Sequence, residues 1–391
     1  MNQPWAHNFP RTSAETSDRT ATIWWDITPV GAERVVQRLD VAGAVELHVA
    51  FEVPWFSGFA SMAISSPARS TCLEAARDPW SFVAGGLCGN ESRMGGAPLV
   101  SIMMPCFNAE RTLPMALASL RAQTYENWEA LVVDDGSSDR TWDLLQGFGD
   151  PRLRLERFDR NRGRGAARQR CLEMASGALL SFLDADDWLF PEKLGVQVPL
   201  MEEHPEVVVL SGACVITDAN GEPVGLTRTG LRAGRDFAVG LFARPGPPPL
   251  SFPPSMVRMA EAQSAGFDPN FRRSQDSDFL IRVMLGKRYA VSSIPVYAYS
   301  QAEAASLSKT LEGYRYRFRC YGQYRKRFPL RARSAMAKTV ARMGVYKVAG
   351  WLHAEQRLIE RRWARVTPES RDAYTNACEL VTRVADMGAG S

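Results

Sequence analysis

Histidine is nearly absent from this chain. His7, His48, His204 and His353 are the only four in 391 residues, and none follows a strand-like segment. That excludes histidine-based nucleophilic catalysis and histidine-rich metal sites. Lysine is scarce too: Lys193, Lys287, Lys309, Lys326, Lys338 and Lys347 are the only lysines among 47 basic residues. The rest are arginine, whose planar fork suits bidentate phosphate contacts. The seven cysteines (Cys72, Cys88, Cys106, Cys171, Cys214, Cys320 and Cys378) are odd in number, with no CxxC spacing. This argues against a zinc finger or a disulfide scaffold and predicts a reducing, cytoplasmic setting. No run reaches the roughly 18 apolar residues a membrane span needs. The nearest, residues 53–68, is interrupted by Pro54, Pro67 and several serines. The N-terminus lacks the basic-then-apolar pattern of a secretion signal. The net charge of +4 is too small to imply nucleic acid.

What is present reads as an ordinary globular composition, 45% hydrophobic and 23% charged. The chain divides into three parts. Residues 1–96 sustain no period and hold Trp5, Trp24, Trp25, Trp55 and Trp80. They read as a partly disordered extension, with a small aromatic, carbohydrate-facing module as the alternative. Short elements are expected at residues 32–39 and 45–53. A glycine-rich linker, residues 85–96, closes this part.

Residues 97–310 alternate strand and helix signals. Strands are expected at 99–104, 128–133, 153–158, 178–183 and 207–217. Helices are expected at 112–123, from a Ser137–Asp139 cap to about Phe148, at 165–175, and from Pro191 at the first helical position to about Glu203. This rhythm predicts an α/β fold: a mostly parallel central sheet with helices on both faces. Residues 311–391 read as helical and basic. Between Gly313 and Arg342 there are ten basic residues and no acid, with Tyr314, Tyr316, Phe318, Tyr321, Tyr324 and Phe328 interleaved. Such a segment is either a solvated helical face or a surface for anionic lipid, a polyanionic acceptor or nucleic acid.

The chemistry gathers at three strand ends. Pro105-Cys106-Phe107-Asn108 follows the first strand, where proline removes a donor and turns the backbone. Asp134-Asp135-Gly136 follows the second; one aspartate can accept from a nucleobase N–H. Asp184-Ala185-Asp186-Asp187 follows the fourth. Alternation along an extended segment points Asp184 and Asp186 the same way. Adjacent carboxylates repel unless a cation or a hydrogen-bond network compensates. A hard divalent ion takes one or two carboxylates plus substrate phosphate oxygens. Helix capping is the blander reading of each end.

Together these residues resemble the inverting family 2 glycosyltransferases of GT-A fold, over residues 98–308. The matching phrases are VVDDGSSDRT, NRGRGAARQR, FLDADDWLFPEKL and GFDPNFRRSQDSDF. The resemblance implies a metal-dependent transfer from a nucleotide-sugar, most often a UDP-sugar, to a carbohydrate or lipid-linked acceptor. It implies that Asp135 contacts the nucleobase with Pro105, Phe107 and Glu110 lining that pocket. It implies that Asp184 contacts the nucleotide-sugar and Asp186 holds Mn²⁺ or Mg²⁺ on the diphosphate. Asn161, Gly163, Ala167 and Arg168 match the stretch beside the nucleotide. Asp276 corresponds to the general base, with Asp278 as runner-up, and an N-cap of a helix at 277–285 is the structural alternative. Two departures stand out. Gln275 replaces the usual glutamate, and residues 295–308 lack the family's Arg and His, a gap Arg272 or Arg273 would have to fill. Glu303 lies near the missing histidine and is given no role.

Two rival readings stand beside this one. A sugar nucleotidyltransferase carries a G-x-G-T-R loop where this chain has Pro105-Cys106-Phe107-Asn108. A non-catalytic glycosyltransferase-like protein would dock through its basic C-terminal segment. The basic C-terminal segment makes peripheral contact with an anionic membrane an expectation, and with no nucleic-acid motif in the chain no nucleic-acid partner is expected. Residues 244–254 (RPGPPPLSFPP) are expected to form a stiff extended loop near the acceptor cleft.

Overall fold

The computed structural model describes residues 96–389 except 233, 301–306 and 353–362, together with the backbone of five strands between residues 14 and 64. The chain forms two compact units, Met1–Met94 and Gly95–Ser391. In the first, β1 (Ala14–Ser17), β2 (Thr20–Ile23) and β3 (Leu39–Asp40) make an antiparallel sheet. β4 (Val45–Val53) and β5 (Phe56–Ile64) make a hairpin, with Val45 opposite Ile64 and Val53 opposite Phe56. The alternation Val45, Leu47, Val49, Phe51 accounts for β4. Residues 32–38 and the tryptophans at 5, 24, 25, 55 and 80 lie outside the described residues.

The second unit begins with β6 (Val100–Cys106), α1 (Leu113–Arg121), β7 (Trp128–Asp134), α2 (Thr141–Gly147) and β8 (Leu153–Arg157). It continues through α3 (Arg164–Met174), β9 (Leu179–Phe182), β10 (Trp188–Leu189), α4 (Lys193–Glu203) and β11 (Val207–Thr217). Next come β12 (Pro223–Thr227), β13 (Phe237–Leu241), β14 (Ser255–Arg258), α5 (Met259–Ala265) and α6 (Gln275–Met284). Last are β15 (Arg288–Ser300), α7 (Leu307–Gln323), α8 (Pro329–Trp351), β16 (Trp363–Ala364) and α9 (Pro368–Ala389).

The main sheet runs β10-β15-β11-β14-β9-β6-β7-β8. β8, β7, β6 and β9 are parallel, as their β-α alternation predicts. Beyond β9 the sheet is mixed. β14 runs antiparallel between β9 and β11, while β11 and β15 pair in parallel. The chain steps outward from β6 to β8, then crosses back to β9 on the other side of β6. That reversal is a topological switch point, where the carboxyl ends of strands open a crevice.

Side-chain alternation builds one apolar layer on each face. Ile102, Met104, Ala130 and Val132 pack with Leu113, Leu117 and Leu120 of α1 and with Leu194 and Val198 of α4. Met103, Leu131 and Val133 pack with Cys171 and Leu172 of α3 and with Phe279, Leu280 and Val283 of α6. Helices therefore cover both faces. Three details differ from the sequence-based expectation. α4 starts at Lys193 after Glu192, so Pro191 precedes the helix and is not its first residue. α6 starts at Gln275 after Ser274, whose φ is 56°, so Asp276 lies in the first turn and does not cap. Tyr314 and Tyr321 of α7 are buried, Tyr314 in a small cluster with Tyr346 and Tyr321 in the core against which Tyr316 and Tyr324 pack, so most of the interleaved aromatics face inward. Among the described residues no helix is long and apolar enough to cross a membrane.

Candidate active site

At the switch point the loops after β6, β7 and β9 surround a cleft of about 350 Å³. Pro105, Phe107, Asp135, Asn161, Gly163, Arg164, Ala167, Asp184 and Asp186 are among the residues lining it. Each loop is tied to its neighbours. The Asn108 N–H donates to Ser137 Oγ (2.9 Å), and Asn108 Oδ1 accepts from the Ser138 N–H (2.9 Å). The Ala109 N–H donates to Thr141 Oγ1 (2.7 Å), and Thr112 Oγ1 donates to the Ala185 carbonyl (2.8 Å). Phe107 is left 48% exposed, offering an aromatic face to the cleft.

Asp135 is buried and accepts from the Arg162 N–H (2.6 Å) and the Gly163 N–H (2.9 Å). Burial pushes its pKa up, and these two hydrogen bonds oppose the rise. The approach depends on glycine. Gly136 has φ +74°, and a Cβ there would come within 2.7 Å of the Arg160 backbone. The neighbouring Asp134 is fully buried, paired with Arg157 at 3.1 Å and bonded to Ser137, so it holds the turn.

Asp184, Asp186 and Asp187 form the second half of the site, with ligand oxygens within 4.8 Å of one another. Burial pushes Asp184 up, but the Arg168 and Arg164 charges together with the Arg168 hydrogen bond outweigh it and hold the carboxyl below its usual range. Arg168 is 4% exposed and meets Asp184 at 2.9 Å. Asp186 opens to the cleft, yet loss of water and then the Asp184 charge raise its pKa. Asp187 is buried; burial, then the Asp186 and Asp184 charges, push it well up. It accepts from Tyr297 Oη (2.8 Å) and from the Ser300 N–H (2.8 Å).

This set fits a hard divalent cation. Three carboxylates share one hydrogen-bonded guanidinium, Arg168, with Arg164 nearby, and burial first, then the neighbouring carboxylate charges, raises the pKa values of Asp186 and Asp187. Asp187 already uses both oxygens inside the protein. Asp186, with Asp184 beside it, is left to face an ion in the cleft.

Tyr297 is a site residue the sequence did not reveal. Fully buried in β15, its hydroxyl donates to Asp187 and accepts the Asp184 N–H at 3.1 Å. Tyr297→Phe should lower the unfolding free energy by about 1–3 kcal/mol, the usual cost of stranding buried polar groups. Urea titration would measure it. No loss would mean that Asp187 and the Asp184 amide find other partners.

Glu110 and Asp276 do not line the cleft. Glu110 pairs with Arg140 at 3.5 Å and accepts its backbone N–H (3.1 Å), bracing the loop after β7. Asp276, half-buried in the first turn of α6, lies close enough to Arg168 for its charge to raise that guanidinium's pKa. Gln275 is buried beside Gly165 of α3. Its Nε2 donates to the Arg272 carbonyl (3.0 Å), and its Oε1 has no hydrogen-bond partner among the described residues. Asp278 is 1% exposed, paired with Arg282 at 2.7 Å and approached by Cys320 Sγ, so it is closed to any acceptor. Arg273 is held by Glu312 at 2.5 Å, which leaves Arg272 as the exposed cation of that pair. Glu303 lies outside the described residues. The 244–254 loop passes beneath the site: Phe252 stacks on Phe182 (4.0 Å), and the Arg168 guanidinium lies over its ring (4.7 Å).

An α/β sheet that gathers carboxylates at a switch-point cleft defines a ligand-binding protein of the open-sheet class. Residues 101–261 match the sequence profile of glycosyl transferase family 2, so this part of the chain is a family 2 glycosyltransferase domain. It is 44% identical over 103 residues to the UDP-Glc:alpha-D-GlcNAc-diphosphoundecaprenol beta-1,3-glucosyltransferase WfgD of Escherichia coli, covering 26% of this chain and 41% of that protein. It is 37% identical over 109 residues to the putative teichuronic acid biosynthesis glycosyltransferase TuaG of Bacillus subtilis, covering 27% of this chain and 43% of that protein. It is 30% identical over 233 residues to the succinoglycan biosynthesis protein ExoO of Rhizobium meliloti, covering 57% and 66%. The chain thus spans less than two thirds of each of these relatives.

Proposed function

We propose that this chain is a metal-dependent, inverting glycosyltransferase that moves a sugar from a UDP-sugar to a hydroxyl of a carbohydrate or lipid-linked acceptor in cell-surface polysaccharide or glycolipid assembly. The observation that carries the reading is the joining of Asp135, Asp184 and Asp186 in one cleft at the switch point. The activities of the relatives, a UDP-glucose donor with a diphospholipid acceptor among them, support the same donor and acceptor classes.

In this reading Asp135 accepts from the nucleobase, with Phe107 against its face and Pro105 at the rim; Glu110 acts by bracing the adjoining loop. Asp184 orients the nucleotide-sugar, and Arg168 keeps Asp184 ionised. Asp186 holds Mn²⁺ or Mg²⁺, which when bound offsets the charge building on the leaving diphosphate. Asp276 takes the acceptor hydroxyl's proton as its oxygen attacks C1 of the sugar. One displacement, with no covalent intermediate, inverts the anomeric centre. A lipid-linked acceptor would bring the chain to the cytoplasmic membrane surface as a peripheral protein.

A thermal-shift panel tests this directly. UDP or a UDP-sugar with Mn²⁺, at about 100 times its dissociation constant, should add about 2.7 kcal/mol of stability. Asp186→Ala should lose the metal-dependent part of that shift and keep the fold. No shift with UDP, GDP, CDP or dTDP, with or without Mn²⁺, would overturn the transferase reading and favour a non-catalytic protein.

A further inference from the structure

A second concave site lies away from the cleft and shares no lining residue with it. It is a pocket of about 160 Å³ between α7, α8 and residues 245–247. Arg317 comes from α7; Arg331, Lys338 and Arg342 come from α8. On α8 these lie at i, i+7 and i+11, which puts them on one helix face. Tyr321 and Ser334 add hydroxyls, and among the described residues no aspartate or glutamate lines the pocket. Tyr321 is 1% exposed, and among the described residues its hydroxyl has no hydrogen-bond partner; Arg317 Nε is also buried without one there. Buried polar groups are nearly always hydrogen-bonded, and each exception needs a physical cause. Here two donors and three further cations meet at one cavity.

We infer that this pocket binds a phosphate-type anion, with Tyr321 and Arg317 donating from its floor and Arg331, Lys338 and Arg342 at its rim. Guanidinium forks and hydroxyls match tetrahedral oxyanions. The volume suits a phosphate or diphosphate group. Because Tyr321 and its aromatic neighbours are turned inward, the segment offers little for stacking bases. Two sources share this chemistry, a soluble phosphate ester and a lipid headgroup.

Calorimetry on the full chain with inorganic pyrophosphate, in EDTA and at physiological salt, tests the site. We expect saturable binding at one site per chain. The combined variant Arg331→Glu/Lys338→Glu/Arg342→Glu should abolish it. These positions are exposed, so the fold should survive, with UDP–Mn²⁺ thermal shifts as the control. The isosteric Tyr321→Phe should weaken binding about tenfold, as expected for losing a hydrogen bond to a charged group. Vesicle pelleting separates the sources. Pelleting with phosphatidic acid that pyrophosphate displaces and Tyr321→Phe weakens identifies a lipid headgroup. Pyrophosphate binding without pelleting identifies a soluble ester. Absence of pyrophosphate binding, or pelleting indifferent to both Tyr321→Phe and pyrophosphate, would overturn the inference.

Discussion

Asp276→Asn is expected to lower sugar transfer by about 10²–10⁴-fold, the range supplied by a positioned general base, with UDP–Mn²⁺ affinity unchanged. Asparagine keeps the size and the first-turn position of Asp276 in α6, so the fold and the cleft should persist. What is lost is the ability to take a proton. The nearest acid on the same helix cannot substitute, because Asp278 is 1% exposed and held by Arg282. Steady-state transfer to a hydroxyl acceptor, beside UDP titration of the same preparation, separates the outcomes. Full activity would remove Asp276 as the base. A parallel fall in UDP affinity would show that Asp276 acts through Arg168, whose charge it stabilises, and would move it from catalysis to positioning.

The parts of this architecture that rest on local pattern were legible in the sequence. Near-continuous apolar runs mark β6, β7 and β11 because both sheet faces are covered by helices, and β11 is buried along its whole length. The acids at the ends of β7 and β9 stand out because they interrupt such runs. Long-range contacts were not legible. Tyr297 sits 113 residues from Asp184, in a strand whose pattern is satisfied by any large apolar side chain there. Its hydroxyl becomes meaningful only once β15 lies beside β10. The antiparallel entry of β14 between β9 and β11 was hidden for a similar reason: a four-residue strand carries too little period to announce its direction. In one dimension the alternation of arginine and tyrosine in the basic segment looks amphipathic and gives no sign of which side chains turn inward. In the fold, Tyr314 and Tyr321 pack inward, Arg317, Arg331, Lys338 and Arg342 line a pocket between two helices, and most of the other cations stay exposed. Gln275 shows the reverse case, where a departure noted in sequence becomes a buried amide beside α3 with one oxygen unpaired.

Arg168→Met should destabilise the metal-free chain by about 3–5 kcal/mol at pH 7, the cost of leaving a buried charge without its partner. Arg168 and Asp184 meet at 2.9 Å with side-chain exposures of 5% and 22%, so solvent screens the pair weakly. The guanidinium also covers Phe252, which methionine would partly replace. Without Arg168, Asp184 would face Asp186 and Asp187 with no adjacent hydrogen-bonded cation. The loss should depend on pH with a definite sign. In the native chain the Asp184 pKa is lowered, so the pair's contribution is complete above the unfolded value near ~3.9. It disappears as pH falls through the lower folded value. In the variant Asp184 loses the charge that held it down, so protonation relieves the cluster and the deficit should shrink as pH falls from 7 toward about 4. Adding Asp184→Asn to Arg168→Met should recover part of the deficit at pH 7, because the stranded charge is then removed. Urea unfolding in EDTA at several pH values measures all three. A deficit below about 0.5 kcal/mol, typical of surface substitutions, would show that Asp184 is solvated in the native chain and that Arg168 does not hold the carboxylate cluster together.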